Sequence, residues 1–177
     1  MCSPSPSAPA YPSPTQGNLI AADWTGSTYR PGYAILVDSP GAAVVLVARG
    51  TGKLHDVLTD LACAAVPHRD GGYAHGGMLE AAKRLREDVI APVRDALVNR
   101  PGFSLVLCGH SLGGGVATLL ADLLGPEIEV AGRQVPVRCF SYAPPAVLSI
   151  EMVRCQRWPG FGFVLAAVLL CSLARPG

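Results

Sequence analysis

The chain has 177 residues, half of them hydrophobic, with a formal net charge of +1 and no long run of either sign. That is enough for one domain with a sizeable core, and the near-neutral balance gives no electrostatic ground for a nucleic-acid partner. The six cysteines contain no CxxC pair and no Cys/His spacing of the zinc type, so no metal and a reduced compartment are expected.

Residues 1–18 (MCSPSPSAPAYPSPTQGN) are rich in proline and serine. They lack the basic start and apolar centre of a secretory signal and are expected to be a disordered tail. An intracellular or membrane-associated location is expected. The ordered domain is expected over 19–153. YAILVD (33–38) and AVVLVA (43–48) read as two strands joined by the turn SPGA, and the second is apolar on both faces, as in a buried sheet. In 49–67 the apolar spacing becomes helical, with Leu54, Val57, Leu58 and Leu61 on one face and Pro67 as the stop. HRDGGYAHGG (68–77) reads as loop. The segment 78–100 reads as a helix with Leu79, Ala82, Leu85, Val89 and Val93 on one face, kinked or split at Pro92. FSLVLCG (103–109) reads as a buried strand, and Leu112 to Leu124 as a helix closed by Gly125 and Pro126. One more strand is expected within PVRCFSYAPP (136–145). Alternating strands and helices argue for an α/β sheet flanked by helices.

The chemistry concentrates where the strand at 103–109 gives way to the helix. Gly109-His110-Ser111-Leu112-Gly113 has the spacing of a nucleophile elbow, in which the serine stands on a turn too tight for a side chain two residues before or after it. The Leu112 N–H, at the positive end of the helix, can face an oxyanion. The competing reading is a glycine-rich packing turn with an incidental serine. A second donor is needed for a tetrahedral intermediate, and Thr51, in Arg49-Gly50-Thr51 directly after a strand, can supply one. The competing reading of Thr51 is a helix N-cap.

Together, VVLVARGTGKLHDVLTDL, HGGMLEAAKRL, LVLCGHSLGGGVATLLADLL and CFSYAPPAVLS resemble the class 3 (fungal-type) lipases, most of all the sn-1-specific diacylglycerol lipases, over roughly 33–149. The resemblance implies an α/β-hydrolase fold, here partial and ending after the strand near 136–142. It implies Ser111 as nucleophile, Thr51 and Leu112 as oxyanion hole, and acylglycerol esters as substrates, met at a membrane or lipid surface. It implies structural roles for Asp56, Asp60 and His75, and no cofactor.

The family's acid and histidine follow the serine in the chain, whereas the four histidines here, His55, His68, His75 and His110, all precede it. Asp122 lies three turns along the helix and is expected to point elsewhere. An upstream histidine, His55 or His75, is the other conceivable base. Residues 154–177 carry an apolar stretch, too short for a span of about 20 residues, and are expected to be a tail foreign to the domain. They read either as a break in the native sequence or as the end of a short isoform lying on a membrane. The strand at 136–142 is accordingly expected to keep an open, aggregation-prone edge. Alternative readings are a catalytically dead lipid-binding protein and a general carboxylesterase.

Overall fold

Six strands form the centre of the protein in a computed structural model that describes residues 18–27, 29–50, 64–125, 128–155 and 163–166. β1 (Leu19–Asp23) pairs antiparallel with β2 (Tyr33–Asp38), and β2 antiparallel with β3 (Ala43–Ala48). β3 then pairs in parallel with β6 (Ser104–His110), β6 with β9 (Val137–Tyr142), and β9 with β10 (Phe163–Ala166). Two small hairpins stand apart: β4 (Ala65–Pro67) with β5 (Tyr73–His75), and β7 (Glu129–Val130) with β8 (Arg133–Gln134). Among the described residues the α-helices are α1 (Gly76–Val98), α2 (Leu112–Leu124) and α3 (Ile150–Cys155).

Period-two alternation sets the sheet's two faces. Ile35, Leu46, Leu107 and Cys139 align in one row across β2, β3, β6 and β9, and all four are fully buried. α2 lies against this face, and α1 packs beside α2. The opposite face, with Val45, Val47, Val106, Cys108 and Phe140, is only half-buried, so β3 is less enclosed than its unbroken apolar run suggests.

Burial fixes the state of the two central thiols. Cys139 is pushed up to about 12, chiefly by burial, and burial also raises Cys108. Raising a thiol above its ordinary value removes thiolate, the reactive form, at neutral pH. The folded protein is therefore expected to leave both cysteines unalkylated by iodoacetamide, with reaction only after unfolding. Peptide mass spectrometry checks this, and rapid native labelling of Cys139 would contradict the buried placement.

Several expectations are corrected. The segment expected to be helical up to Pro67 ends in strand β4, while its Leu54, Val57, Leu58 and Leu61 lie outside the described residues. The expected loop at 68–77 contains a 3-10 turn at Arg69–Gly71 and strand β5. Tyr73 and His75 are held there by backbone bonds to the distant segment 147–149, which no local pattern could announce. Pro92 does not split α1; Val89, Val93, Ala96 and Leu97 are buried around it, and their burial outweighs the lost hydrogen bond. The β7–β8 hairpin was not anticipated. Its two-residue loop, Ala131-Gly132, has positive φ at both residues, 51° and 73°, the type I′ geometry that suits twisted strands. The edge of β9 is not open: β10, inside the expected apolar tail, pairs with it from Cys139 to Tyr142.

Candidate active site

β6 and α2 meet at Ser111, the residue between them. Ser111 has φ 54° and ψ −124°, a conformation that costs a non-glycine residue about 1–3 kcal/mol and persists only where its surroundings impose it. The surroundings are specific. The Ser111 N–H donates to the Tyr142 carbonyl at 2.9 Å, and its own carbonyl accepts from the Gly115 N–H at 3.1 Å. Its side chain does not cap α2, and no hydrogen bond to Ser111 Oγ occurs among the described residues.

The two flanking glycines are required for different reasons. A Cβ on Gly109 would strike the carbonyl of Gly113 and the nitrogen of Gly114, across the turn itself. A Cβ on Gly113 would strike the Ala48 carbonyl and come within 2.7 Å of the Gly50 nitrogen and 2.8 Å of the Arg49 carbonyl carbon. The first turn of α2 therefore rests on the end of β3. Gly50 is equally close from the other side, since its Cβ would lie 2.9 Å from the His110 carbonyl oxygen. Of the expected site residues, Ser111, Leu112, Gly109, His110 and Gly113 come together at this corner, with the end of Arg49-Gly50 beside them. Thr51 lies outside the described residues, as do His55, Asp56 and Asp60.

Leu112 is the first residue of α2, so its N–H has no partner within the helix. The N–H groups of the first turn give this corner positive character where Ser111 is half-buried and His110 exposed.

The remaining described histidines have other partners. His75 is buried, and its Nδ1 accepts from the Met78 N–H at 3.3 Å, capping α1. His68 Nε2 lies 2.8 Å from Asp122 Oδ2. Arg69 Nη2 donates to the Asp122 backbone carbonyl at 2.6 Å and lies 3.2 Å from Oδ2. Asp122 does point away from Ser111, into a buried ionic cluster that ties the 3-10 turn to the far end of α2. Sequence reasoning missed this cluster. Its one signal was a lone acid in an otherwise uncharged helix, LGGGVATLLADLL.

Comparison with known proteins bears on this corner. The family model described as Lipase (class 3) matches residues 45–157, somewhat beyond the limit near 149 that the motifs suggest. The secreted mono- and diacylglycerol lipase A of Penicillium cyclopium is 32% identical over 146 residues, covering 78% of this chain and 45% of that protein. The diacylglycerol lipase-beta of Mus musculus is 33% identical over 138 residues, covering 72% of this chain and 19% of that protein. The chain thus spans less than half the length of either relative. Among solved structures, a mutant form of MDLA of Penicillium cyclopium superposes with a TM-score of 0.63 at 30% identity, covering 73% of this chain and 47% of that one. The triacylglyceride lipase of Rhizomucor miehei superposes with a TM-score of 0.64 at 21% identity, covering 77% and 52%. The fold of such lipases, an α/β-hydrolase sheet, is the fold described above.

Proposed function

This chain belongs to the class 3 lipase family, and on that premise we propose that it is a serine ester hydrolase acting on acylglycerols at a lipid surface, with Ser111 as its nucleophile. The observation that carries the reading is the strained, glycine-locked Ser111 at the strand–helix corner. In the proposed reaction Ser111 Oγ attacks the ester carbonyl carbon. The carbonyl oxygen becomes an oxyanion, held by the Leu112 N–H and by Thr51. Two observations support these donors. Leu112 opens α2, so its N–H has no partner within the helix, and Gly50, which directly precedes Thr51, lies against the elbow. The alcohol leaves carrying the proton from the Ser111 hydroxyl as the tetrahedral intermediate collapses, and water then releases the acyl group as a fatty acid and returns a proton to Ser111 Oγ. We take 19–153 as the body of the domain, to whose sheet β10 adds one strand from beyond that limit.

A second reading, a lipid-binding protein that turns nothing over, is favoured by one observation. A serine needs a base, and no hydrogen bond to Ser111 Oγ occurs among the described residues. A fluorophosphonate separates the readings. The hydrolase is expected to take up the probe at Ser111, located by peptide mass spectrometry, to lose all labelling in Ser111→Ala, and to release fatty acid from dioleoylglycerol. Absence of both labelling and release would select the second reading. Release from soluble short-chain esters alone would indicate a general carboxylesterase.

A further inference from the structure

The edge of the sheet that carries Ser111 also carries two exposed aromatic side chains. Register aligns Asp23, Tyr33, Ala48, Gly109 and Ser141 in one row. One residue further along each strand, on the same edge, stand Trp24, His110 and Tyr142. Trp24 is 63% exposed and Tyr142 51%. β1 and β9 are four strand positions apart, roughly 20 Å at the ordinary inter-strand spacing, and the elbow lies between them.

These exposures belong to fixed backbone. The Asp23 carboxylate accepts from both the N–H and the hydroxyl of Thr25, at 2.9 and 2.6 Å, and Arg49 Nη1 donates to the Trp24 carbonyl at 2.6 Å. The indole therefore projects from a turn pinned on both sides. Tyr142 pairs with His110 and Ala166, and its carbonyl holds the Ser111 N–H. From Tyr142 to Ile150 the sequence YAPPAVLSI carries no charge. Ala143 and Ile150 are exposed, and Pro144, Pro145 and Ala146 are half-buried.

We propose that this edge is a lipid-docking surface in which Trp24 and Tyr142 seat at the headgroup–acyl boundary and hold Ser111 toward the lipid. An indole and a phenol each join an apolar ring to one polar tip, the combination that suits that boundary. The charge-free segment after Tyr142 suits it too, because a charge there would have to shed water. The proposal rests on the esterase reading for its choice of partner: an acylglycerol is dissolved in lipid, so the edge bearing its nucleophile must meet a lipid surface. Among the described residues no helix is long and apolar enough to cross a membrane.

The test uses the full chain with Trp158→Phe, which leaves Trp24 as the sole tryptophan. The probe is phosphatidylcholine vesicles carrying a minor fraction of dioleoylglycerol. Trp24 emission is expected to shift to the blue and to be quenched by brominated acyl chains. In the otherwise unchanged chain, Trp24→Ser and Tyr142→Ser are each expected to weaken vesicle binding about tenfold, with little dependence on salt. Trp24→Ser is expected to keep its fluorophosphonate reaction in water. Unchanged Trp24 emission, or both variants binding vesicles as well as the parent chain, would overturn the proposal. Self-association that Trp24→Ser abolishes, without vesicle binding, would overturn it in favour of a protein contact. Vesicle binding that needs both aromatics in a chain that never takes the fluorophosphonate would sustain the docking surface and remove the esterase reading.

Discussion

Gly113→Ala is expected to destabilise the protein by about 3 kcal/mol or more and to deform the elbow. Helix propensity alone gives the opposite sign, because alanine is favoured over glycine inside a helix by about 1 kcal/mol. Gly113 sits in the first turn of α2 and its φ is not positive, so the backbone conformation does not demand glycine. What demands it is the end of β3. The added methyl would collide with the Ala48 carbonyl, the Arg49 carbonyl carbon and the Gly50 nitrogen, all of them main chain. None can rotate aside, so α2 must lift from the sheet or β3 must yield, and either moves Ser111 relative to Gly50. Urea unfolding checks the stability, and loss of fluorophosphonate labelling checks the geometry. Gly102→Ala is the control: it has φ 92° and nothing within 4 Å of the new methyl, so only backbone strain of about 1 kcal/mol is expected there. A Gly113→Ala protein as stable as the parent would refute the close seating of α2 on β3.

Asp122→Ala is the second large effect, also about 3 kcal/mol destabilising. Local rules again point the other way. An acid near the C-terminal end of a helix opposes the helix dipole, and alanine is the better helix former. The tertiary contacts reverse this. The Asp122 side chain is 1% exposed and lies against His68 and Arg69, whose side chains are 11% and 30% exposed. Removing it strands the largely enclosed His68 and takes one of two contacts from Arg69, which keeps its bond to the residue 122 carbonyl. That surviving bond places the loss at the low end of the range for a broken buried pair. Asp122→Asn retains an acceptor for His68 and is expected to lose about half as much. Equilibrium denaturation of the three proteins gives the comparison, and an unchanged Asp122→Ala would show that the cluster contributes nothing net.

Both substitutions mark the boundary between what the chain encodes locally and what it encodes only once folded. β2 and β3 were legible because apolar runs bounded by turn residues identify strands without reference to anything distant. α2 was legible from its span between the elbow and Gly125, and the buried face of α1 from its helical spacing. The elbow was legible because its steric demand falls on residues two places either side of Ser111.

Contacts across the chain were not legible. Nothing near Asp122 in the sequence names His68, 54 residues away. Nothing near Tyr73 and His75 names the 147–149 segment whose backbone bonds to them. Pro92 argues locally for a break, and only the core packed around it keeps α1 whole. The sequence by itself determined which residues are apolar, at what period, and where a serine sits between small neighbours, since each depends on a few adjacent positions. The tertiary structure alone decided which faces meet, why Gly113 must be bare, which partner neutralises Asp122, and that Trp24 shares an edge with Ser111. Those outcomes depend on sheet order and register, which are settled by burial and pairing summed over the whole sheet.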